Sequence, residues 1–333
     1  MKHRNIAFFI PHMGCKHRCS FCEQRSISGE ESLITPEEVY ITASKEALRL
    51  SESDRKETEI AFFGGSFTAI EKSKMLEFLS VGKKLIDEYS LKGIRISTRP
   101  DAVGDDILSL LKQYGVRDIE IGAQSTNDKV LLLNERGHTA EDIFSAAERI
   151  RKYGFGLGLQ IMPGLYGDTD ETIEKTISDV LKIKPDTVRV YPTLVVKGTR
   201  LEKLYLGGEY SPLTLEKAVS VCAKALKLFG EAGIEIIKMG LHSEKSLEES
   251  LVAGPYHPSF KELCESRLFC DKIEEEMNER EIKKAFVSVS PFSISKALGN
   301  KKENIKRLSA KGLEVKILTD EKLGKYEIKI GKE

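Results

Sequence analysis

The chain carries no excess charge of either sign: Lys+Arg and Asp+Glu both number 52 in 333 residues. No global field therefore draws it to nucleic acid or to a membrane surface. It also lacks any apolar run long enough to span a bilayer, and the stretch Ile6 to Pro11 behind Met1-Lys2-His3-Arg4 is too short for a signal-peptide core. Cysteine is scarce, with three residues clustered near the start and three scattered at Cys222, Cys264 and Cys270, which is no secreted disulfide framework. A reducing, cytoplasmic compartment is expected. No long repeat or low-complexity segment interrupts the chain. What is left is an ordinary globular sequence, 40% hydrophobic, with a prior of about two domains.

Short β-rich runs alternate with helix-length amphipathic stretches as far as about residue 240, the pattern of a parallel α/β sheet. Six strands are predicted, at Ile6–Ile10, Glu59–Phe63, Gly93–Ser97, Asp118–Ile121, Gly156–Ile161 and Thr187–Tyr191. Thr35-Pro36-Glu37-Glu38 and Asp168-Thr169-Asp170-Glu171 supply helix N-caps with acid in the first turn. Six βα units are too few for a closed eight-stranded barrel, so the fold class expected is α/β, a partial (β/α)6 TIM-type barrel over residues 1–240. Ligands of such sheets sit at the C-terminal strand ends.

The first of those ends holds Cys15, Cys19 and Cys22, spaced Cys-x3-Cys-x2-Cys, with Phe21 before the last. A [4Fe–4S] cubane takes one thiolate per iron, so three thiolates leave one iron open to a small molecule. This is the layout in which S-adenosylmethionine (SAM) binds the open iron, accepts an electron and yields a 5′-deoxyadenosyl radical. Zinc is the competing reading, with His12 or His17 as a fourth ligand. After the second strand, Gly64-Gly65-Ser66 would let backbone approach a ligand closely, although a tight strand-to-helix turn asks for the same glycines.

Glu120-Ile121-Gly122-Ala123-Gln124-Ser125, Asn134-Glu135-Arg136-Gly137-His138-Thr139, Ile161-Met162-Pro163-Gly164-Leu165 and the run Tyr191 to Thr199 complete a pattern that resembles the radical SAM core of the Elongator catalytic subunit. A more distant likeness is to oxygen-independent coproporphyrinogen oxidase. The resemblance implies a [4Fe–4S] cluster on the three cysteines and SAM as cofactor. Gly64 and Gly65 would receive the SAM amino group, while Gln124 and Arg136 would face its methionine part. Ser97 stands where the relatives carry a glutamate that grips the ribose, and Gln160 where they carry histidine or aspartate. Met162 and Tyr191 would line the adenine side, though core packing explains both nearly as well. An electron donor of flavodoxin or ferredoxin type is the partner such chemistry requires.

The tail differs in charge. From Ile282 to Glu333 there are 13 Lys+Arg against 6 Asp+Glu, following an acidic stretch from Asp271 to Glu281. Residues 241–281 are expected to be a barrel-closing linker and helix, and 282–333 a small basic α+β domain. Its order, strand, helix, Gly299-Asn300-Lys301-Lys302, helix, strand, strand, resembles a KH-type RNA-binding unit, whose Gly-x-x-Gly loop clamps a single strand. Here Lys302 replaces the last glycine, and a basic lid without RNA is the alternative. His257, Cys264 and Cys270 could hold a metal, but inert buried thiols suit their irregular spacing better.

The leading reading is a radical SAM enzyme that abstracts hydrogen from RNA, with tRNA as substrate; the acetyltransferase domain of the Elongator subunit is not expected within these 333 residues. Two others stand beside it. One is the same chemistry on a small metabolite, and the other a non-catalytic iron–sulfur protein that binds RNA.

Overall fold

In the computed structural model the described residues are 4–15, 18–24, 34–241 and 244–332. They divide into two compact units, Met1–Leu213 with Ala232–Pro255, and Thr214–Glu231 with Tyr256–Glu333.

The first unit is built on strands β1 (Arg4–Ile10), β2 (Thr58–Gly64), β3 (Gly93–Thr98), β4 (Val116–Gln124), β5 (Gly156–Ile161) and β6 (Thr187–Val190), with β7 (Val195–Val196), β8 (Glu235–Met239) and β9 (Leu251–Ala253) following. A seven-stranded parallel sheet runs β1-β2-β3-β4-β5-β6-β8, an open half-barrel, while β7 and β9 form a separate antiparallel pair. All six expected strands are present, and β8 is a seventh. Its Glu-Ile-Ile-Lys-Met sequence is only partly buried at the sheet edge, so it lacks the apolar run that marks its neighbours.

Consecutive parallel pairing follows from helices long enough to cross back over the sheet. Pro36–Arg49 starts on a capping box between Thr35 and Glu38, and Ala140–Lys152 on one between Thr139 and Asp142. Buried β2 is anchored by aromatic packing: Phe62 stacks on Phe67 at 5.1 Å and meets Phe78 edge-on at 5.5 Å. Such pairs contribute about 0.5–1.5 kcal/mol each beyond area burial. Because Phe67 opens the short turn after Gly64-Gly65-Ser66, this contact also pins the ligand-side loop to the core.

Low in the half-barrel, near the N-terminal strand ends, the interior is polar. Arg95, 1% exposed, donates from Nε to Glu59 at 3.0 Å and lies 3.3 Å from Asp118. Burial is the main force raising the Glu59 carboxyl to about 7.

The second unit draws on two stretches of the chain. Leu215–Glu231, whose periodicity fits a barrel helix, packs instead on Phe260–Glu279, and both belong to this unit. Within this unit Phe269, Cys270, Ile273 and Met277 join Val287, Val289 and Leu308 in one buried cluster. An amphipathic helix advertises an apolar face but not its partner. Strands β10 (Lys284–Val289), β11 (Glu314–Thr319) and β12 (Ile328–Lys332) form a sheet of order β11-β10-β12, parallel on one side of β10 and antiparallel on the other.

Candidate active site

The cysteine loop is fastened at both ends by backbone. Gly65 N donates to Ile10 O at 3.1 Å and Ser66 N to Met13 O at 2.7 Å. The approach is so close that a Cβ on Gly65 would fall 2.1 Å from Met13 O, and one on Gly14, at φ +73°, would fall 2.2 Å from Ser66 O. This is the physical reason for glycine at both positions. Further along, Ser20 N donates to Asn134 O at 3.2 Å and Ser20 Oγ to Asn134 Oδ1 at 2.7 Å, while Asn134 Nδ2 holds the carbonyls of Val130 and Tyr166. His12 is engaged elsewhere, since its Nε2 accepts from Gln24 N at 3.2 Å. Its rival as a fourth ligand, His17, lies outside the described residues.

One cavity opens beneath this loop, enclosing about 1310 Å³ with its mouth included. Cys15, Cys19, Cys22, Phe21, Gly64, Gly65, Ser97, Gln124, Arg136, Gln160, Met162 and Tyr191 all line it. Strand alternation explains the gathering, because Gln160 and Met162 lie two residues apart on one face of the chain leaving β5.

Two guanidinium groups, Arg136 and Arg99, line the cysteine end of the cavity. Arg136 NH1 donates to Cys19 Sγ at 3.0 Å and NH2 to Gly122 O at 2.6 Å. Arg99 is held bidentately by Asp101 at 2.9 and 3.1 Å. Burial, then the neighbouring Cys19 and Cys15, pushes the Cys22 thiol up to about 12, and burial raises Cys15 as well. As free thiols these two stay protonated, so bound metal would have to displace their protons. Among the described residues no three Cys, His, Asp or Glu side chains are gathered around a single-ion position. The thiols stand instead around a common cavity, as ligands to different irons of one cluster do.

Several contributors escaped the sequence reading. Gln24 donates to Gly64 O at 2.7 Å, so it ties the end of the cysteine loop to the glycine turn. Glu120 and Arg189 also line the cavity, forming an ion pair at 2.7 Å, and Ser97 Oγ donates to Glu120 Oε1 at 3.0 Å. The alternation back from Gln124 along β4 was the signal for Glu120.

The description "Radical SAM superfamily" matches residues 9–180, more than half the chain. The chain belongs to the radical SAM superfamily. A "Radical_SAM C-terminal domain" model follows over 185–269. Among curated proteins, a tRNA uridine(34) acetyltransferase of Methanocaldococcus jannaschii is 31% identical over 41% of this chain and 26% of its own length. One of Dehalococcoides mccartyi is 26% identical over 62% and 52% respectively. The matched region thus spans a quarter to about half of these relatives. A solved structure, the archaeal Elp3 of Methanocaldococcus infernus, superposes over 84% of this chain and 64% of its own with a TM-score of 0.58 at 19% identity, which shows the shared fold. As a member of this superfamily the protein is an enzyme.

The other candidates belong to the second unit. Asn300–Lys302 form a tight turn between the helices Ile294–Leu298 and Glu303–Ala310, with Lys301 and Lys302 exposed in left-handed conformations at φ 48° and 60°. Cys222, Cys264 and Cys270 are fully buried. Burial drives the Cys264 thiol upward and Cys270 to about 11, so both remain inert thiols, and His257 Nδ1 accepts from Ser259 N at 3.1 Å. Among the described residues no helix is long and apolar enough to cross a membrane.

Proposed function

We propose that Cys15, Cys19 and Cys22 hold a [4Fe–4S] cluster, that SAM binds beside it in the cavity, and that the enzyme modifies RNA, with tRNA as the substrate class. The observation that carries the reading is the convergence of the three cysteines, the Gly64-Gly65 turn, Gln124 and Arg136 on one cavity. When bound, cluster and SAM would supply a one-electron cleavage and a carbon radical able to take hydrogen from an unactivated C–H bond.

This chain's residues do the positioning. Arg136 places positive charge against Cys19 and, with Arg99, makes the cysteine end of the cavity a place for the SAM carboxylate. Gln124 accepts from Gln160 Nε2 at 3.1 Å, so the two amides form a paired polar wall. Phe21, Met162 and Leu194 add apolar walls that keep water from the reacting atoms. A flavodoxin- or ferredoxin-type donor would deliver the electron.

The RNA half of the reading is supported by the names of the relatives and by the exposed lysines of the Asn300–Lys302 turn. The test is anaerobic reconstitution followed by measurement of 5′-deoxyadenosine under reductant, with and without bulk tRNA. Release stimulated by tRNA is expected; release indifferent to it would move the substrate to a metabolite, and no release from a protein with its cluster intact would overturn the enzyme reading.

A further inference from the structure

The three-stranded sheet of the second unit has two unlike faces, because period-two alternation sends successive side chains to opposite sides. Val287 and Val289 of β10, Ile317 of β11 and Ile330 of β12 face the core with Phe269 and Ile273. The outer face of a small sheet is ordinarily polar. Here its central strand places Phe286 in the middle of that face, only half-buried, and Leu318 on the neighbouring strand is 39% exposed.

Register sets what stands beside the ring. Lys316 is the partner of Phe286 on β11, and its ammonium lies 5.7 Å from the ring centroid. On β12 the partner is Gly331, which is exposed; a Cβ built there would meet nothing closer than Phe286 O at 3.9 Å. One flank of the phenylalanine therefore carries a cation and the other no side chain. Lys329, exposed and opposite Ser288, adds a second positive charge to the face. The acid of this face, Glu314, is paired with Lys284 at 2.7 Å.

An aromatic ring with an open flank and lysines at its border suits one kind of polymer. An unstacked base can lie on the ring while the phosphates on either side meet the ammonium groups. A duplex offers its phosphates to such a face but not its bases, which are already stacked on one another. Resting on the RNA reading of the proposed function, we propose that this outer sheet face binds unpaired RNA, with a base stacked on Phe286 over Gly331 and phosphates held by Lys316 and Lys329. It is a contact additional to the lysines of the Asn300–Lys302 turn.

The test is fluorescence anisotropy of a labelled RNA of about 12 nucleotides, within the usual span of one single-strand site, bound to the full chain as a single strand and as a duplex with its complement. The single strand is expected to bind more tightly. Phe286→Ala and Phe286→Leu should each weaken it about 5- to 100-fold, the range of one base–aromatic stack, without changing the slope of log affinity against log salt. Because leucine keeps apolar cover on the sheet, its loss of binding separates stacking from folding, and Phe286→Tyr should retain affinity. Lys316→Gln combined with Lys329→Gln should instead flatten the salt slope by about 1.4, the value for two single-strand phosphate contacts. Gly331→Val has room for its Cβ, so it should fold normally and lower affinity by filling the open flank. Melting temperatures check each variant. Unchanged affinity in Phe286→Leu or in Gly331→Val, or a preference for duplex, overturns this inference alone. So does self-association of the wild-type chain in sedimentation that Phe286→Ala abolishes, which would give the face to a second copy. A chain that binds neither strand, duplex nor bulk tRNA overturns the RNA half of the proposed function with it.

Discussion

Arg136 shows how much one side chain carries at the residue scale: a single guanidinium bonds Cys19 Sγ and the Gly122 carbonyl, so it links the cysteine loop to the fourth strand. Replacing Cys19 with Ala is expected to abolish the brown cluster absorbance and all SAM cleavage; a variant keeping both would refute the assignment of the cysteines. His138, two residues on and 6% exposed, offers a second measurement. Burial, aided by Arg136 and Arg99, lowers its pKa from 6.5 to about 4. The unfolded chain then binds the extra proton first, so stability is fully present above pH 6.5 and is lost as pH falls towards 4, by up to roughly 3 kcal/mol. Urea titrations of the metal-free protein across that window should show the decline, and His138→Gln should flatten it. A wild-type slope unaltered in the variant would place the titration elsewhere.

At the scale of elements, the loop between β1 and the first helix owes its placement to neighbours rather than to its own sequence. Asn134, fully buried, spans from Ser20 to the carbonyls of Val130 and Tyr166. Asn134→Ala leaves those groups without a partner and is expected to cost about 1–3 kcal/mol in urea unfolding, with reduced iron uptake because the cysteine loop is no longer anchored. Gly65→Ala, which drives a methyl into Met13 O, should impair iron uptake in the same way. Normal iron content in both variants would show that the loop positions itself. Helices with strong caps were legible from sequence because capping is local, as at Thr35 and Thr139. Edge strand β8 was not, since of its five residues only Met239 is fully buried and the sequence reads as mixed.

For the whole molecule, the proposed function places chemistry and RNA contact in different units, which predicts separable losses. Changing Lys301 and Lys302 together to Glu should weaken tRNA binding and reduce the slope of log affinity against log salt by roughly 2. Uncoupled cleavage of SAM should persist. Equal loss of both activities would mean that the turn serves structure instead. The neutrality of the full sequence conceals a basic tail balanced by acid elsewhere, which only the local count from Ile282 to Glu333 brings out.

The sequence by itself determined the superfamily, six of the seven strands of the main sheet and many of the residues that line the cavity, though not Gln24, Glu120 or Arg189. Cysteine spacing, glycine pairs and period-two alternation are local signals, and parallel crossovers leave little freedom in how such strands assemble. Only the tertiary structure decided which unit claims Leu215–Glu231, because an apolar face fits any complementary surface. It also decided that Ser97 meets Glu120 and that Glu120 meets Arg189, pairings across three strands separated by 23 and 69 residues of chain. Cross-strand partners are fixed by register and burial together, and neither is written in the neighbourhood of any one residue.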